Sequence, residues 1–315
     1  MKILIADSIA ASAVEALRKD FEVIEQHYAL TDLLNVISDF HAVIVRSSTK
    51  IPREVIERAE NLKVIGRAGV GVDNINVEAA TEKGIFVVNS PRASTISVAE
   101  ITIGYMLALS RSLVQATTET KKGKWPKKHL KGTELFGKTL GFVGCGRIGA
   151  EVAKRVQIFG MSCLVYDPYL PPEVSAKIGV EMTDNLDNLF KVSDFITIHA
   201  WLSDETRGMI SKKQFEWMKP TAFLVNCARG GIVDEEALYD ALKNRKIAGA
   251  ALDVFSVEPA LENKLFDLNN LYASPHIAAS TKEAQERAGQ VTAEQVRLVL
   301  TGKTPEFCVN PQVSQ

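Results

Sequence analysis

What this sequence lacks first is a charge imbalance. Lysines and arginines number 37 against 38 aspartates and glutamates, a formal net charge of -1. Nucleic acid and an anionic membrane both favour a strong basic excess, so neither is expected as a partner. Paired cysteine spacing is also missing. Only Cys145, Cys163, Cys227 and Cys308 occur, with no CxxC and no metal-ligand pattern. That excludes a disulfide framework, gives no reason to expect a metal, and leaves buried, reduced thiols of a cytoplasmic chain. Long hydrophobic runs are absent too. The most apolar stretch, residues 101–110, is far short of the ~20 residues a membrane span requires. The start, MKILIADS, places Asp7 where a signal peptide needs a longer apolar run. There is no low-complexity segment and no repeat period. What is there is a soluble globular composition, 46% hydrophobic and 24% charged. A length of 315 residues is long for one core, so two domains are expected.

Short β-branched runs at residues 3–6, 22–25, 42–46, 64–67 and 85–89 predict buried strands. Between them lie helical spacings, one capped by Ser8 and carrying Val14 and Leu17, another capped by Thr31 and carrying Leu34 and Ile37. Strands alternating with helices imply βαβ units and a parallel sheet. Residues 97–113 predict a helix with so little polar face that it should be covered on more than one side. After it, KKGKWPKKHLKG (121–132) reads as a solvated basic connector. A second alternating series runs from Thr139 to about Ser274, with apolar runs near 162–166, 195–198, 222–226 and 247–252. A last helix over 281–300 ends at Gly302, which suits a C′ position.

The second series opens with GFVGCGRIG (141–149), nearly halfway along the chain. A lone GxGxxG is a weak signal, since glycines also mark ordinary turns. Here a strand pattern precedes it, Ile148, Val152 and Val156 follow at helical spacing, and a second strand closes at Asp167. Gly144 permits the tight turn, Gly146 lets a pyrophosphate approach the backbone, and Gly149 lets helix and strand pack closely. The helix N-terminus offers free N–H groups and partial positive charge to the phosphates. Asp167 suits the ribose hydroxyls and repels a 2′-phosphate, and Pro168, Tyr169 and Leu170 supply no arginine, so NAD is expected rather than NADP.

Three further strand ends carry polar groups that packing alone does not require. The run 223–226 leads into Cys227, Ala228, Arg229, Gly230 and Gly231. The run 247–252 leads into Asp253, with Glu258 five residues on. The run 272–275 leads into His276. Each has a bland explanation: a surface salt bridge, a helix cap, a core histidine. Together they supply a cation, a carboxylate and an imidazole at the carboxyl ends of strands, where such sheets bind ligands. Hydride transfer from an alcohol requires that set: a base for the hydroxyl proton, a carboxylate to orient the base, and a cation for substrate charge.

GFVGCGRIG with Asp167, NCARGGIVDEEAL (226–238), ALDVFSVEP (251–259) and SPHIAAST (274–281) together resemble the D-isomer-specific 2-hydroxyacid dehydrogenases over essentially the whole chain. The resemblance implies an α/β fold of two doubly wound parallel-sheet domains, a Rossmann NAD-binding domain (98–283) inserted into a flavodoxin-like substrate domain (1–97 and 284–315). It accounts for the late position of the glycine loop, since the first part of the chain would hold substrate. It implies catalytic roles for Arg229, Glu258 and His276. It implies NAD contacts at Gly144, Gly146, Arg147, Ile148, Gly149, Asp167, Ala200, Cys227, Ala228, Arg229, Asp253, His276 and Ala279. Substrate contacts are implied at Val70 and Gly71, whose amides cradle a carboxylate, and at Arg229 and His276. VRSSTK (45–50), GRAGVGVDN (66–74) and HIAASTKEAQ (276–285) are of the type found in members that act on a phosphorylated 2-hydroxy acid. For such members Arg46, Ser47 and Gln285 would hold the phosphorylated substrate, an arginine suiting a phosphate through bidentate hydrogen bonds.

That likeness implies NAD-linked oxidation of D-3-phosphoglycerate to 3-phosphohydroxypyruvate, the first step of serine biosynthesis, by a homodimer paired through residues 97–113. Two other readings stay open: a hydroxypyruvate or glyoxylate reductase, and an NAD-sensing corepressor-like binding protein. Ser94, Ala278 and Trp201 depart from the family pattern, which has asparagine in some members at the first position and usually glycine and proline at the other two. The chain stops at Gln315, so the small regulatory domain of some relatives, and feedback by serine through it, are not expected.

Overall fold

Residues 1–314 are described by a computed structural model. Consecutive parallel strands need a crossover of a dozen or more residues, usually helical, and the first alternating series provides it. The strands β1 (Lys2–Ile5), β2 (Glu22–Glu25), β3 (Ala42–Val45), β4 (Val64–Arg67) and β5 (Phe86–Asn89) form one sheet in the order 2-1-3-4-5, every pairing parallel. The four residues of β3 are all buried, whereas β2 is half-exposed because it lies at the sheet edge. One face carries Leu4, Val43, Ile65 and Val87 against Leu33, Ile37, Val55 and Ala79. The opposite face carries Ile3, Ile5, Ile44 and Val64 against Val14, Leu17, Val296 and Leu300. The latter two residues come from the long C-terminal helix Lys282–Leu300. Gly66 in β4 makes room for that helix: a Cβ there would lie 2.8 Å from methyl groups of Thr292 and Val296.

The second series builds a seven-stranded parallel sheet from β6 (Thr139–Val143), β7 (Ser162–Tyr166), β8 (Glu181–Met182), β9 (Phe195–Ile198), β10 (Phe223–Asn226), β11 (Gly249–Leu252) and β12 (Leu271–Ala273). Their order is 12-11-10-9-6-7-8. The connections therefore reverse direction between β6 and β9, the switch point at which such sheets open a ligand crevice. The α/β class and the two doubly wound parallel sheets are thus as the sequence implies. The chain divides into two compact units, residues 1–94 with 279 onward, and residues 95–278.

Local details differ from expectation in instructive ways. Ser8 caps nothing: the first helix is Ala11–Arg18, its N-cap is Ala10, and the first turn is closed by backbone donation from Ala13 N to Ala10 O. Thr31 sits inside the helix Leu30–Val36 and does not precede it. The apolar helix over 97–113 is instead Thr95–Ser110. Ser112, at φ 48°, turns the chain by 63° into a second helix, Leu113–Lys121, with no buried residue. Among the described residues no single helix is long and apolar enough to cross a membrane. Thr281 does cap the C-terminal helix, accepting from Ala284 N, and Gly302 at φ 75° ends it.

Candidate active site

The glycine loop is built as its spacing requires. Gly144 has φ 81°, and a Cβ on it would lie 2.8 Å from the amide nitrogen of Ala200, which follows β9 across the switch point. A Cβ on Gly149 would stand 3.2 Å from the buried Cys145 sulfur, so the helix packs tightly on the loop. A Cβ on Gly146 would meet nothing within 4 Å. The glycine at that position leaves open the space a pyrophosphate needs, above the helix Arg147–Ile158, which no side chain caps. At the end of β7, Asp167 accepts from Cys145 N (2.8 Å) through one carboxylate oxygen and from Tyr169 N (2.9 Å) through the other. Its carboxylate is thereby fixed beside the loop. Next to it Tyr169 stacks on Trp201, both well exposed, with ring centroids 5.8 Å apart. Burial pushes the Cys145 thiol up to about 12, so it stays protonated at neutral pH.

The loop after β10 is folded by a residue whose role the sequence did not advertise. Asn226 is fully buried; its carbonyl accepts from Ala228 N (3.0 Å) and its amide donates to Arg229 O (2.9 Å). This Asx-type closure presents Cys227, Ala228 and Arg229, whose guanidinium donates back to Ala228 O (2.8 Å). Gly230 admits no side chain, because a Cβ there would lie 1.8 Å from Phe255 O. The loops after β10 and β11 are therefore in backbone contact. Burial, with the nearby Asp253 charge adding to it, lifts the Cys227 thiol to about 12, so it too stays protonated.

Glu258 is anchored within its own loop: Oε1 accepts from Phe255 N (3.0 Å), and Oε2 stands 2.7 Å from His276 Nδ1. With Nδ1 committed to the carboxylate, Nε2 is the ring nitrogen that can exchange a proton with another group. His276 is half-exposed and holds φ 54°, a left-handed conformation uncommon for a residue with a Cβ. Its amide donates to Asp253 O (2.8 Å). Asp253, wholly buried, accepts from Ile277 N (2.8 Å), Ala278 N (2.7 Å) and the Ser274 hydroxyl. Beyond β9 lies a residue that no sequence motif marks, His199. Burial lowers its pKa to about 4, and its Nε2 pairs with Thr197 Oγ1 at 2.9 Å, leaving a neutral ring.

Thus Gly144, Gly146, Arg147, Ile148, Gly149, Asp167, Ala200, Cys227, Ala228, Arg229, Asp253, Glu258 and His276 all fall at carboxyl ends of strands in the unit 95–278. Ala279, Arg46, Ser47, Val70, Gly71 and Gln285 belong to the other unit. There, Asp7 fixes the loop after β3, accepting from Arg46 N (2.6 Å), Thr49 N (3.1 Å) and the Thr49 hydroxyl (2.8 Å). Asn74 closes the same loop by donating to Arg46 O (2.7 Å) and Thr49 O (2.6 Å). The Arg46 side chain is half-buried, with Nη1 3.5 Å from Ser8 O, and Ser47 is exposed. Val70 and Gly71 follow β4, their turn tied down by Asn89 Nδ2 donating to Val70 O (2.6 Å). Gln285 is exposed on the first turn of the C-terminal helix. Asn74 and Asn226 lie at the edges of the motifs GRAGVGVDN and NCARGGIVDEEAL, but neither they nor Asp7 were given a role there; their signal is a polar residue at the end of a buried strand or in the loop beside it.

Among known proteins, the chain is 53% identical to the D-3-phosphoglycerate dehydrogenase of Methanocaldococcus jannaschii, with all of this chain and 60% of that protein covered. Against the human D-3-phosphoglycerate dehydrogenase the identity is 46%, covering 99% and 58%. The chain thus spans about 60% of the length of the curated relatives it matches. Among solved structures, the TT0316 protein of Thermus thermophilus matches with a TM-score of 0.91 at 33% identity, over 98% of this chain and 100% of that one. A glyoxylate reductase from Paecilomyes thermophila matches at 0.89 and 30%, over 99% of each. Residues 103–278 match the NAD-binding domain of the D-isomer specific 2-hydroxyacid dehydrogenases. The chain belongs to that family.

Proposed function

We propose that this protein oxidises D-3-phosphoglycerate to 3-phosphohydroxypyruvate with NAD, the first step of serine biosynthesis. The observation that carries the reading is the pairing of Glu258 with His276 Nδ1 at 2.7 Å, in a chain 43–53% identical to D-3-phosphoglycerate dehydrogenases. The nicotinamide of NAD, when bound, would supply the hydride acceptor for C2 of the substrate. His276 Nε2 takes the proton of the C2 hydroxyl as that hydride leaves, a general-base role. Glu258 fixes the ring's direction and stabilises the imidazolium that forms. The Arg229 guanidinium sits on a loop made rigid by Asn226 and Gly230, and serves as the cation for the substrate carboxylate and the developing carbonyl oxygen. Val70 and Gly71 supply carboxylate-binding amides, while Arg46, Ser47 and Gln285 take the phosphorylated end.

Asp167 supports a preference for NAD of at least tenfold over NADP, tested by catalytic efficiency with each. The apolar helix Thr95–Ser110, followed by Leu113 and Val114 at 50% and 51% exposure, supports a homodimer paired through this region; a monomer at micromolar concentration in sedimentation would count against it. All four cysteines are free, in keeping with a cytoplasmic location. The deciding experiment compares NAD-linked oxidation of 3-phosphoglycerate, glycerate, lactate and malate side by side. A clear advantage for the phosphorylated acid supports the proposal. Equal rates with glycerate refute the substrate assignment, and no turnover with any of them refutes the enzymatic reading in favour of an NAD-sensing binding protein.

A further inference from the structure

His276 must hold its left-handed backbone and keep its ring on Glu258, yet it is half-exposed and lies in a loop just beyond the short strand β12. The segment 274–278 is held from two sides, by Asp253 after β11 and by the helix Thr95–Ser110. Tyr105 donates its hydroxyl to Ser274 Oγ, and Ser274 donates in turn to Asp253 Oδ1. About two helical turns away, the buried Ser97 donates to Ala278 O at 2.8 Å. The segment is therefore fastened at both ends to that helix. Asp253 grips its middle through the amides of Ile277 and Ala278, and its own carbonyl takes the amide of His276.

We propose that Tyr105 and Ser274 are positioning residues for His276: their hydroxyl chain fixes the Asp253 carboxylate, and that carboxylate sets the turn that aims the imidazole. The proposal rests on the acid–base role given to His276 above. Asp253 has no solvent to lean on, since it is wholly buried. Its orientation is decided by its donors, and Ser274 is the one side-chain donor among those named here. Ser274 can aim its proton at Asp253 because its own acceptor site is filled by Tyr105. Burial pushes the phenol up to about 12, so it remains a donor across any working pH. Removing either hydroxyl weakens the side-chain hold on Asp253 Oδ1, leaving the carboxylate fixed by the amides of Ile277 and Ala278 alone, and the His276 turn held by fewer contacts. A displacement of about 1 Å at a reacting group costs up to about a hundredfold in rate.

The test uses Tyr105→Phe, Ser274→Ala, the double variant, and Ser274→Thr, which restores a hydroxyl. Tyr105→Phe and Ser274→Ala are expected to lower kcat about tenfold while the KM for the hydroxy acid stays within twofold. The double variant should be no slower than the worse single one, because the two act in series through one carboxylate. Ser274→Thr should recover most of the rate. Values of kcat within twofold of wild type for both single variants, or losses that simply multiply in the double variant, overturn the proposal. A second readout is independent of substrate identity. In ¹⁵N-histidine-labelled protein, with the His276 ring signal assigned by its loss in His276→Ala, that signal should move in Tyr105→Phe and Ser274→Ala. An unmoved signal refutes the positioning role whichever hydroxy acid is the substrate. Absence of turnover by the wild type refutes the proposed function instead.

Discussion

Replacing Glu258 by glutamine changes one oxygen to an NH₂ and almost nothing in shape, which makes it the sharpest probe of the site. Glu258 accepts two hydrogen bonds, from Phe255 N at 3.0 Å and from His276 Nδ1 at 2.7 Å. A glutamine has one acceptor oxygen and one donor nitrogen. If its oxygen stays on Phe255 N, its NH₂ faces Nδ1, and only the tautomer with the proton on Nε2 can accept from it. That tautomer has no lone pair left for the substrate hydroxyl proton. If the oxygen turns to Nδ1–H, the Phe255 amide faces an NH₂ and loses its partner, at about 1–3 kcal/mol. The first outcome therefore dominates, and the base is disabled while the fold is kept. In the serine protease triad the equivalent carboxylate-to-amide change lowers kcat about 10⁴-fold. Here the Glu258 side chain is 35% exposed and water competes for Nδ1, so a loss of about 10² to 10³ is expected. The assay is steady-state oxidation of the hydroxy acid, with NADH affinity measured separately by fluorescence titration. A kcat within threefold of wild type, or a kcat loss matched by lost NADH affinity, would refute the tautomer argument.

Three other outcomes are expected. His276→Ala removes the base itself, so kcat should fall about 10² to 10⁴-fold with NADH affinity within threefold; stopped-flow and titration read the two separately. Arg46→Ala should raise the KM for 3-phosphoglycerate about ten- to a hundredfold, since charge-assisted hydrogen bonds contribute about 1.5–3 kcal/mol. Glycerate oxidation should scarcely change, and equal losses on both substrates would show that Arg46 does not read the phosphate. Folded His199 takes a proton only near pH 4, against 6.5 unperturbed, so the unfolded chain binds more protons in between. Stability should then decline as pH falls through that window, by at most about 3 kcal/mol and by less because part of the residue meets solvent. Urea unfolding from pH 7 to 4 measures it, and His199→Gln should flatten the decline.

What the sequence determined by itself is whatever local chemistry dictates. The β-branched runs had to be strands, because they alternate with helical spacing at crossover length, and a parallel sheet follows from that alternation. Gly144, Gly146 and Gly149 announced a phosphate loop because the backbone there must approach other groups more closely than a Cβ allows. Arg229, Glu258 and His276 stood out as polar groups at strand ends. Other features belonged to tertiary structure alone. The break at Ser112 was not legible, because the apolar pattern continues through it and what bends the chain is a left-handed turn that no glycine announces. Ser8 and Thr31 look like helix caps, yet they are not used as caps, because a backbone turn closes the first helix before Ser8 is needed and the second helix begins ahead of Thr31. Most of all, the sequence could name His276 as a base but could not say what aims it. Tyr105 and Ser274 are 169 residues apart, and Asp253 reaches Ala278 across 25. Their union depends on a helix packing beside strand ends, and a hydrogen bond between residues that distant leaves no periodic trace in the chain that forms it.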